Sequence, residues 1–274
     1  MWAVIISFFC TLFGGCETAP AKLTQTAAPC SVVKHGGESY TVCRFDVDDV
    51  DIALHWKGKS GEPFRTITRL QKALESQNAQ PLMLMNGGMY HDDLRPVGLY
   101  IENTKQSARI STKGGWGNFH LLPNGVFWVK GGKPGVTETK RFIKRRIEPD
   151  FATQSGPMLV INGKLHPRFL PRSNSLKIRN GVGVSRSGET LFFAISQRRV
   201  SFHAFGTLFR DVLKTPNALY LDGTVSALKS PSHSQGGWRE LGPMISIVAK
   251  AEPSAAPNPG DKTPLNNTKA AKQP

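Results

Sequence analysis

Short apolar runs stopped by two-residue turn signals recur along most of this 274-residue chain and leave little room for long helices. The runs include Thr41–Val47, Ile52–Trp56, Leu82–Met85, Val97–Ile101, Phe119–Leu122, Val126–Val129, Met158–Ile161, Lys164–His166, Leu191–Ser196, Ala218–Leu221 and Met244–Val248. Between or after them stand Gly36-Gly37, Pro123-Asn124-Gly125, Asn162-Gly163 and Asp222-Gly223, residues that turns favour for their backbone freedom or side-chain bonding. Only two stretches have helical spacing. Pro63–Gln77 repeats Phe64, Ile67, Leu70 and Leu74, and Phe202–Leu213 lines up Phe202, Phe205, Leu208, Phe209, Val212 and Leu213. Many hairpins and two helices predict an α+β fold, a single domain with a mixed, largely antiparallel sheet and few helices. The helix-then-strand order at 202–221 allows one parallel neighbour. No internal repeat or Pro/Ser-rich linker interrupts residues 30–250, and 39% hydrophobic residues suffice for one core.

The first hairpin carries its own test. If Gly36-Gly37 is a two-residue loop, the facing residue numbers sum to 73, and Cys30 faces Cys43. Alternation from such a turn makes them a non-hydrogen-bonded pair, the closer kind, where a cross-strand disulfide fits in an oxidising compartment.

The N-terminus supplies that compartment. Residues 1–15 form an apolar run of signal-peptide length ending in Phe13-Gly14-Gly15 before Cys16. This resembles a bacterial lipoprotein leader, with Cys16 as the lipidated residue; an ordinary cleaved signal or an uncleaved anchor is the alternative. Residues 251–274, rich in Pro, Ala, Asn and Lys, read as a disordered tail. Residues 30–79 are the N-terminal hairpin and helix, and 80–249 the main domain. The chain is read as exported to the periplasmic face of the bacterial envelope.

The net charge of +15 is uneven: residues 140–210 hold 14 basic and 3 acidic groups. Such a local excess points to an anionic partner. Export argues against nucleic acid. In and just after Lys140–Arg146, Phe142, Ile143 and Ile147 are expected in the core with the basic groups on the wet face; contact with an anionic membrane surface is the second reading.

Walker, dinucleotide-binding, paired CxxC, HExxH and GxSxG motifs are all missing, so no cofactor is expected. Polar residues beside glycine at strand ends remain: Asn86-Gly87-Gly88, Gln154-Ser155-Gly156, Arg179-Asn180-Gly181 and Asp222-Gly223-Thr224. Glycine there admits a ligand close to the backbone, while the strand fixes the neighbouring side chain. His91-Asp92-Asp93 on a loop is read as solvated rather than as a metal site, and His203 as solvated or capping.

Those segments, with Arg95-Pro-Val-Gly-Leu99, Gly117-Asn118-Phe119, Phe209-Arg210-Asp211 and Leu219-Tyr-Leu-Asp222, resemble the phosphodiester glycosidase family in its bacterial envelope branch. The likeness runs over roughly residues 80–249. Asn86, Arg179, Asp222 and Gly223 match the family's signatures, whereas Asn180 replaces a Thr and Thr224 replaces a Gly.

The resemblance implies hydrolysis of the C1–O bond of a sugar-1-phosphodiester. A phosphate monoester leaves with little proton assistance, so one carboxylate and a cation can do what ordinary glycosidases need two carboxyls for. Asp222 is then the nucleophile or general base and Arg179 the bidentate phosphate clamp. Asn86 and the Gly87 and Gly88 amides orient sugar or phosphate oxygens, and Gln154, Ser155, Asn180, Gly223 and Thr224 join the substrate site. Glu102, Asp93 and Asp211 are the unranked second carboxyls. The alternative is a non-catalytic envelope lipoprotein that binds phosphate-bearing glycan.

Overall fold

The computed structural model describes residues 28–250. The leader, Cys16 and the tail beyond residue 250 lie outside the described residues.

Among the described residues seventeen strands form three sheets. The largest has seven strands in the order Cys30–His35, Glu38–Asp46, Thr190–Ser196, Asn180–Val184, Asn217–Asp222, Met158–Ile161 and Lys164–Leu165. A second places Ser234–Gln235, Leu228–Lys229, Pro81–Asn86, Met244–Ala249 and Val50–His55 side by side. The third runs Lys105–Ala108, Tyr100–Glu102, Phe151–Ser155, Gly125–Lys130 and Lys133–Glu138.

Period-two alternation explains how the sheets share one core. Leu219 and Leu221, Met83 and Met85, and Phe127 and Val129 all enter a common cluster between the sheets. The opposite faces are closed by short helices. Phe205, Leu208 and Phe209 of the 202–212 segment pack on Ala218 and Tyr220. Ile67 and Leu70 of the Ile67–Glu75 helix pack on Leu84 and Met244. Phe142 of the Thr139–Lys144 helix packs on Val126 and Ala152. The protein is therefore a single-domain, largely antiparallel α+β fold, as the turn pattern predicts.

Four sequence expectations need amendment. The strand pairs among the described residues are all antiparallel. Thr190–Ser196 and Asn217–Asp222, joined through the helix, run in the same direction but both border Asn180–Val184, which separates them. Phe119–Leu122 is not a strand: Asn118–His120 makes a 3-10 turn in which Phe119 is the buried anchor. Phe202–Leu213 is α-helical only to Thr207, then widens into a π turn that leaves Val212 exposed. Finally, the short helix at 139–144 buries Phe142 but leaves Ile143 exposed beside its basic neighbours.

The hairpin register is as predicted, Cys30 opposite Cys43 through to His35 opposite Glu38. Cys30 and Cys43 form a disulfide with Cα atoms 3.9 Å apart. A disulfide of this kind belongs to an oxidising compartment. No helix among the described residues is long and apolar enough to cross a membrane.

Candidate active site

The first and second sheets meet where three strands end together, at Asn86, Asn180 and Asp222. Asn180 pairs with Asp222 across a register shift between Asn180 and Gly181. Its side chain bridges both sheets. Asn180 Nδ2 donates to Asn86 Oδ1 at 2.8 Å, and its Oδ1 accepts from the Asp222 amide at 2.9 Å. Asn86 Oδ1 also accepts from the Ala227 amide at 2.8 Å. Ser226 Oγ donates to the carbonyls of Asp222 and Ile178, at 2.9 and 3.1 Å. These bonds hold the strand end and the following turn as one polar block, with Asn86 Nδ2 buried and without a partner.

Asp222 is 8% exposed. Its Oδ1 accepts the amides of Gly223 and Thr224, the latter at 2.8 Å, in a local Asx turn. Burial raises the Asp222 pKa from the ordinary aspartate value, and the amides of Thr224, Gly223 and Val225 pull it partly back. Gly223 is required here by close approach: a Cβ would overlap the Tyr220 hydroxyl. Asp222 shares the sheet face of Tyr220, two residues back. Burial, then the Asp222 charge, pushes the Tyr220 phenol well up, against the opposing pull of Arg179.

Arg179 departs from its expected use. It is 0% exposed, and Nε donates to Val200 O at 2.9 Å while Nη2 donates to Ser175 O at 2.8 Å. Its guanidinium lies 3.5 Å from the Phe202 ring centroid, and Phe202 stacks on Phe169. Burial lowers its pKa, with the nearby Tyr220 working against that shift. Only Nη1 is left without a partner. A bidentate clamp open to substrate is therefore not the arrangement present; Arg179 is a buried cation stacked on Phe202 and 5.4 Å from the Tyr220 ring centroid.

The other expected residues divide sharply. Asn180, Gly223 and Thr224 lie at the Asp222 turn. The Gly87 and Gly88 amides do not face a ligand, because they donate to Pro243 O at 2.7 Å and Thr153 Oγ1 at 3.2 Å. These glycines serve close packing instead, since a Cβ on Gly88 would strike Thr153 and Gln154. Gln154 uses both ends of its amide on Leu99 N, Ser111 N, Ser111 O and Thr139 Oγ1. Ser155 Oγ donates to Leu221 O at 2.8 Å. Both are sheet staples. Glu102 is engaged by Tyr100 and Trp56, Asp93 by Arg95, and Asp211 by Arg210. None of these three carboxyls lines a cavity with Asp222.

Two cavities open on the turn. One, of about 520 Å³, is bordered by Asp222, Tyr90, Asp92, Asn118 and Glu240. The other, of about 680 Å³, is bordered by Lys177, Arg199, Gln235 and Trp238. Thr224, Val225 and Arg239 border both and form the ridge between them. Burial raises the Tyr90 phenol most, followed by the Asp222 charge, while Arg239 opposes, so these three groups share one field.

Arg239, Tyr90 and Asp92 are the cavity-lining residues that strand-end reasoning passes over. The signal shared by Tyr90 and Arg239 is a glycine pair two or three residues before them with an aromatic side chain in between or at the position itself, Gly236-Gly237-Trp238-Arg239 and Gly87-Gly88-Met89-Tyr90; Asp92 carries no such mark. Among the described residues no group of three His, Cys, Asp or Glu side chains is placed to hold a metal ion.

Comparison with known proteins gives three findings. Residues 80–235 match the family model described as phosphodiester glycosidase. The uncharacterized protein YigE of Escherichia coli (strain K12) is 41% identical over 201 residues, covering 72% of this chain and 76% of that protein. Among solved structures, the catalytic domain of zebrafish N-acetylglucosamine-1-phosphodiester alpha-N-acetylglucosaminidase, auto-inhibited by its pro-peptide, superposes with a TM-score of 0.54 at 12% identity. That match covers 80% of this chain and 81% of the zebrafish domain. A putative exported protein from Burkholderia pseudomallei K96243 superposes with a TM-score of 0.51 at 9% identity, over 77% of this chain and 74% of that one. The two superpositions establish a shared fold.

Proposed function

This chain belongs to the phosphodiester glycosidase family, and from that premise we propose that it is an exported hydrolase of sugar-1-phosphodiesters. It breaks the C1–O bond, water supplies the new C1 hydroxyl, and the phosphate monoester leaves with the bonding electrons. The observation that carries this reading is Asp222 at the cavity floor, with one oxygen tied to its own turn and Arg239 on the adjoining rim.

Held by Oδ1, the carboxylate keeps Oδ2 for C1 or for a water attacking it. The sugar occupies the cavity beside Tyr90, Asn118 and Asp92, and Arg239 faces the departing phosphate. Asp92 is the carboxyl for a second proton transfer where one is needed. Arg179 acts through packing: its guanidinium lies 5.4 Å from the ring of Tyr220, whose hydroxyl lies against Gly223. Export follows from the leader and fits the Cys30–Cys43 disulfide. Lipidation of Cys16 would tether the domain to the envelope membrane, keeping it beside glycan substrates.

The test is sugar release from a panel of sugar-1-phosphodiesters by the wild type and Asp222→Asn. The wild type turns over at least one member, and the variant loses on the order of 10²–10⁴-fold while remaining folded. Full activity in the variant removes Asp222 from its role. Binding of panel members without turnover by the wild type would favour a non-catalytic glycan-binding lipoprotein.

A further inference from the structure

The two cavities that meet at the Asp222 turn differ in charge. The Asp222 cavity carries the carboxyls of Asp92, Asp222 and Glu240, together with Arg239, which borders both cavities. The neighbouring cavity carries Lys177, Arg199 and Arg239 and no carboxylate among its lining residues. None of these three cations pairs with a carboxylate among the described residues. All three are exposed, so water screens their repulsion, but together they give the cavity a positive potential that favours an anion.

The rim of this cavity is also built rather than loose. Gln235 Nε2 donates to Ser196 O at 2.8 Å, and Glu240 holds Arg65 at 2.8 Å. Tyr90 Oη donates to Glu240 O at 2.8 Å, and the Leu241 amide donates to Arg65 O at 2.7 Å. Gly236 and Gly237, both at positive φ, turn the chain between these anchors, and Gly236 is wedged against Ser226. Trp238 and Arg239 are thereby presented at the cavity, with Trp238 93% exposed. An anchored loop that leaves a tryptophan open to water offers a flat apolar face to a ligand.

We propose that the basic cavity is an aglycone subsite, and that the substrate is a sugar-1-phosphodiester whose alcohol carries at least one further phosphate. This rests on the hydrolase reading for the position of the scissile bond. The sugar lies with Asp222, the bridging phosphate crosses the Thr224–Arg239 ridge, and the second phosphate meets Lys177 and Arg199. A cavity of about 680 Å³ is of ligand size, which a lone bridging phosphate does not fill. Hydrolysis then yields the free sugar and a bisphosphorylated alcohol, with one water consumed and no other co-reactant.

The test uses the full mature chain and two phosphodiesters of the same sugar, one with a methyl aglycone and one with a 3-phosphoglyceryl aglycone. The wild type should favour the phosphate-bearing substrate at least tenfold in kcat/KM, and the preference should shrink as salt rises. Lys177→Gln and Arg199→Gln should each lower kcat/KM for that substrate severalfold more than for the methyl one. A ratio near one, or variants that lower both substrates alike, would overturn the proposal. A catalysis-free arm measures binding of glycerol 1,3-bisphosphate and glycerol 1-phosphate by calorimetry. The bisphosphate should bind at least tenfold tighter to the wild type, and the Lys177→Gln/Arg199→Gln double variant should lose that difference. Bisphosphate preference without turnover of any diester leaves the subsite standing and sinks the hydrolase reading. Turnover of the methyl substrate with no bisphosphate preference does the reverse.

Discussion

Asn180→Ala tests the claim that one buried amide joins two sheets and carries the candidate nucleophile. The substitution removes the acceptor of the Asp222 amide, leaving a buried donor unpaired at a cost of about 1–3 kcal/mol. It also takes one of two donors from Asn86 Oδ1, which keeps Ala227 N, for about 1 kcal/mol more. The sum is roughly 2–4 kcal/mol. Asn86→Ala strands Ala227 N and leaves Asn180 Nδ2 only the Asn86 carbonyl, at 3.4 Å. It also relieves the unpartnered Asn86 Nδ2, so its cost falls in the same range. The two side chains share a bond, so the double variant should cost less than the two singles together, by about 1–2 kcal/mol. Urea unfolding with the disulfide intact reads this directly: each single variant should lower the midpoint by roughly 1 M, with unchanged slope. Additivity of the two substitutions within about 0.5 kcal/mol would refute the bridge. Hydrolysis should fall in Asn180→Ala as well, since the Asp222 backbone loses its anchor, but less than in Asp222→Asn.

Burial raises the Asp222 pKa, so the ionised carboxylate is disfavoured by the fold. The stability this group lends is present at acid pH, below its unfolded value, and is lost as pH rises through the folded value. Asp222→Asn should therefore be more stable than the wild type to urea at neutral pH, and this gain should vanish near pH 3. A stability difference independent of pH would contradict the assignment. Hydrolysis, needing the ionised form, should show an acidic limb above the ordinary aspartate range. The Cys30–Cys43 disulfide closes a loop with a sequence separation of 13, and its removal in a Cys30→Ser/Cys43→Ser variant should cost about 3 kcal/mol in the same unfolding assay. No change would mean that the unfolded state is not constrained by it.

The fold was legible where a local rule determines a long-range outcome. Gly36-Gly37 sets the hairpin register, which in turn places Cys30 against Cys43. Apolar alternation located most of the core strands, because each sheet has one face in the shared core, but it passed over Lys105–Ala108, Lys133–Glu138, Phe151–Ser155, Leu228–Lys229 and Ser234–Gln235. Sheet membership was not legible. Nothing local in Asn180–Val184 tells it to lie between Thr190–Ser196 and Asn217–Asp222. Phe119 failed for a related reason: an apolar residue that anchors a turn has the same composition as one that occupies a strand. Asn86, Asn180 and Asp222 come together because strand ends beside glycine converge here. Gln154 and Ser155 share that pattern, yet their polar atoms are consumed by Ser111, Thr139 and Leu221. Hydrogen-bond satisfaction, invisible in a sequence, separates the two groups.

Charge shows the same limit more strongly. The basic excess of residues 140–210 suggested one anion-binding face that includes Arg179, but density along a chain is not density in space. Arg179 is fully buried against Phe202 and donates to carbonyls. Arg141 and Arg145 line a different cavity, with Arg186, away from Asp222. Lys177 and Arg199 alone reach the cavity beside the Asp222 turn, and they meet there Arg239, which lies outside the basic stretch altogether. A buried arginine whose charge is balanced by ring faces and carbonyls holds geometry, since moving it to a ligand would forfeit those contacts. An exposed arginine between the anchored Gln235 and Glu240, unpaired and on the ridge between two cavities, can take up a departing phosphate without rearranging the core. On the proposed reading the cation that meets the leaving group is thus Arg239, while Arg179, 5.4 Å from the Tyr220 ring centroid, belongs to the buried support of the turn.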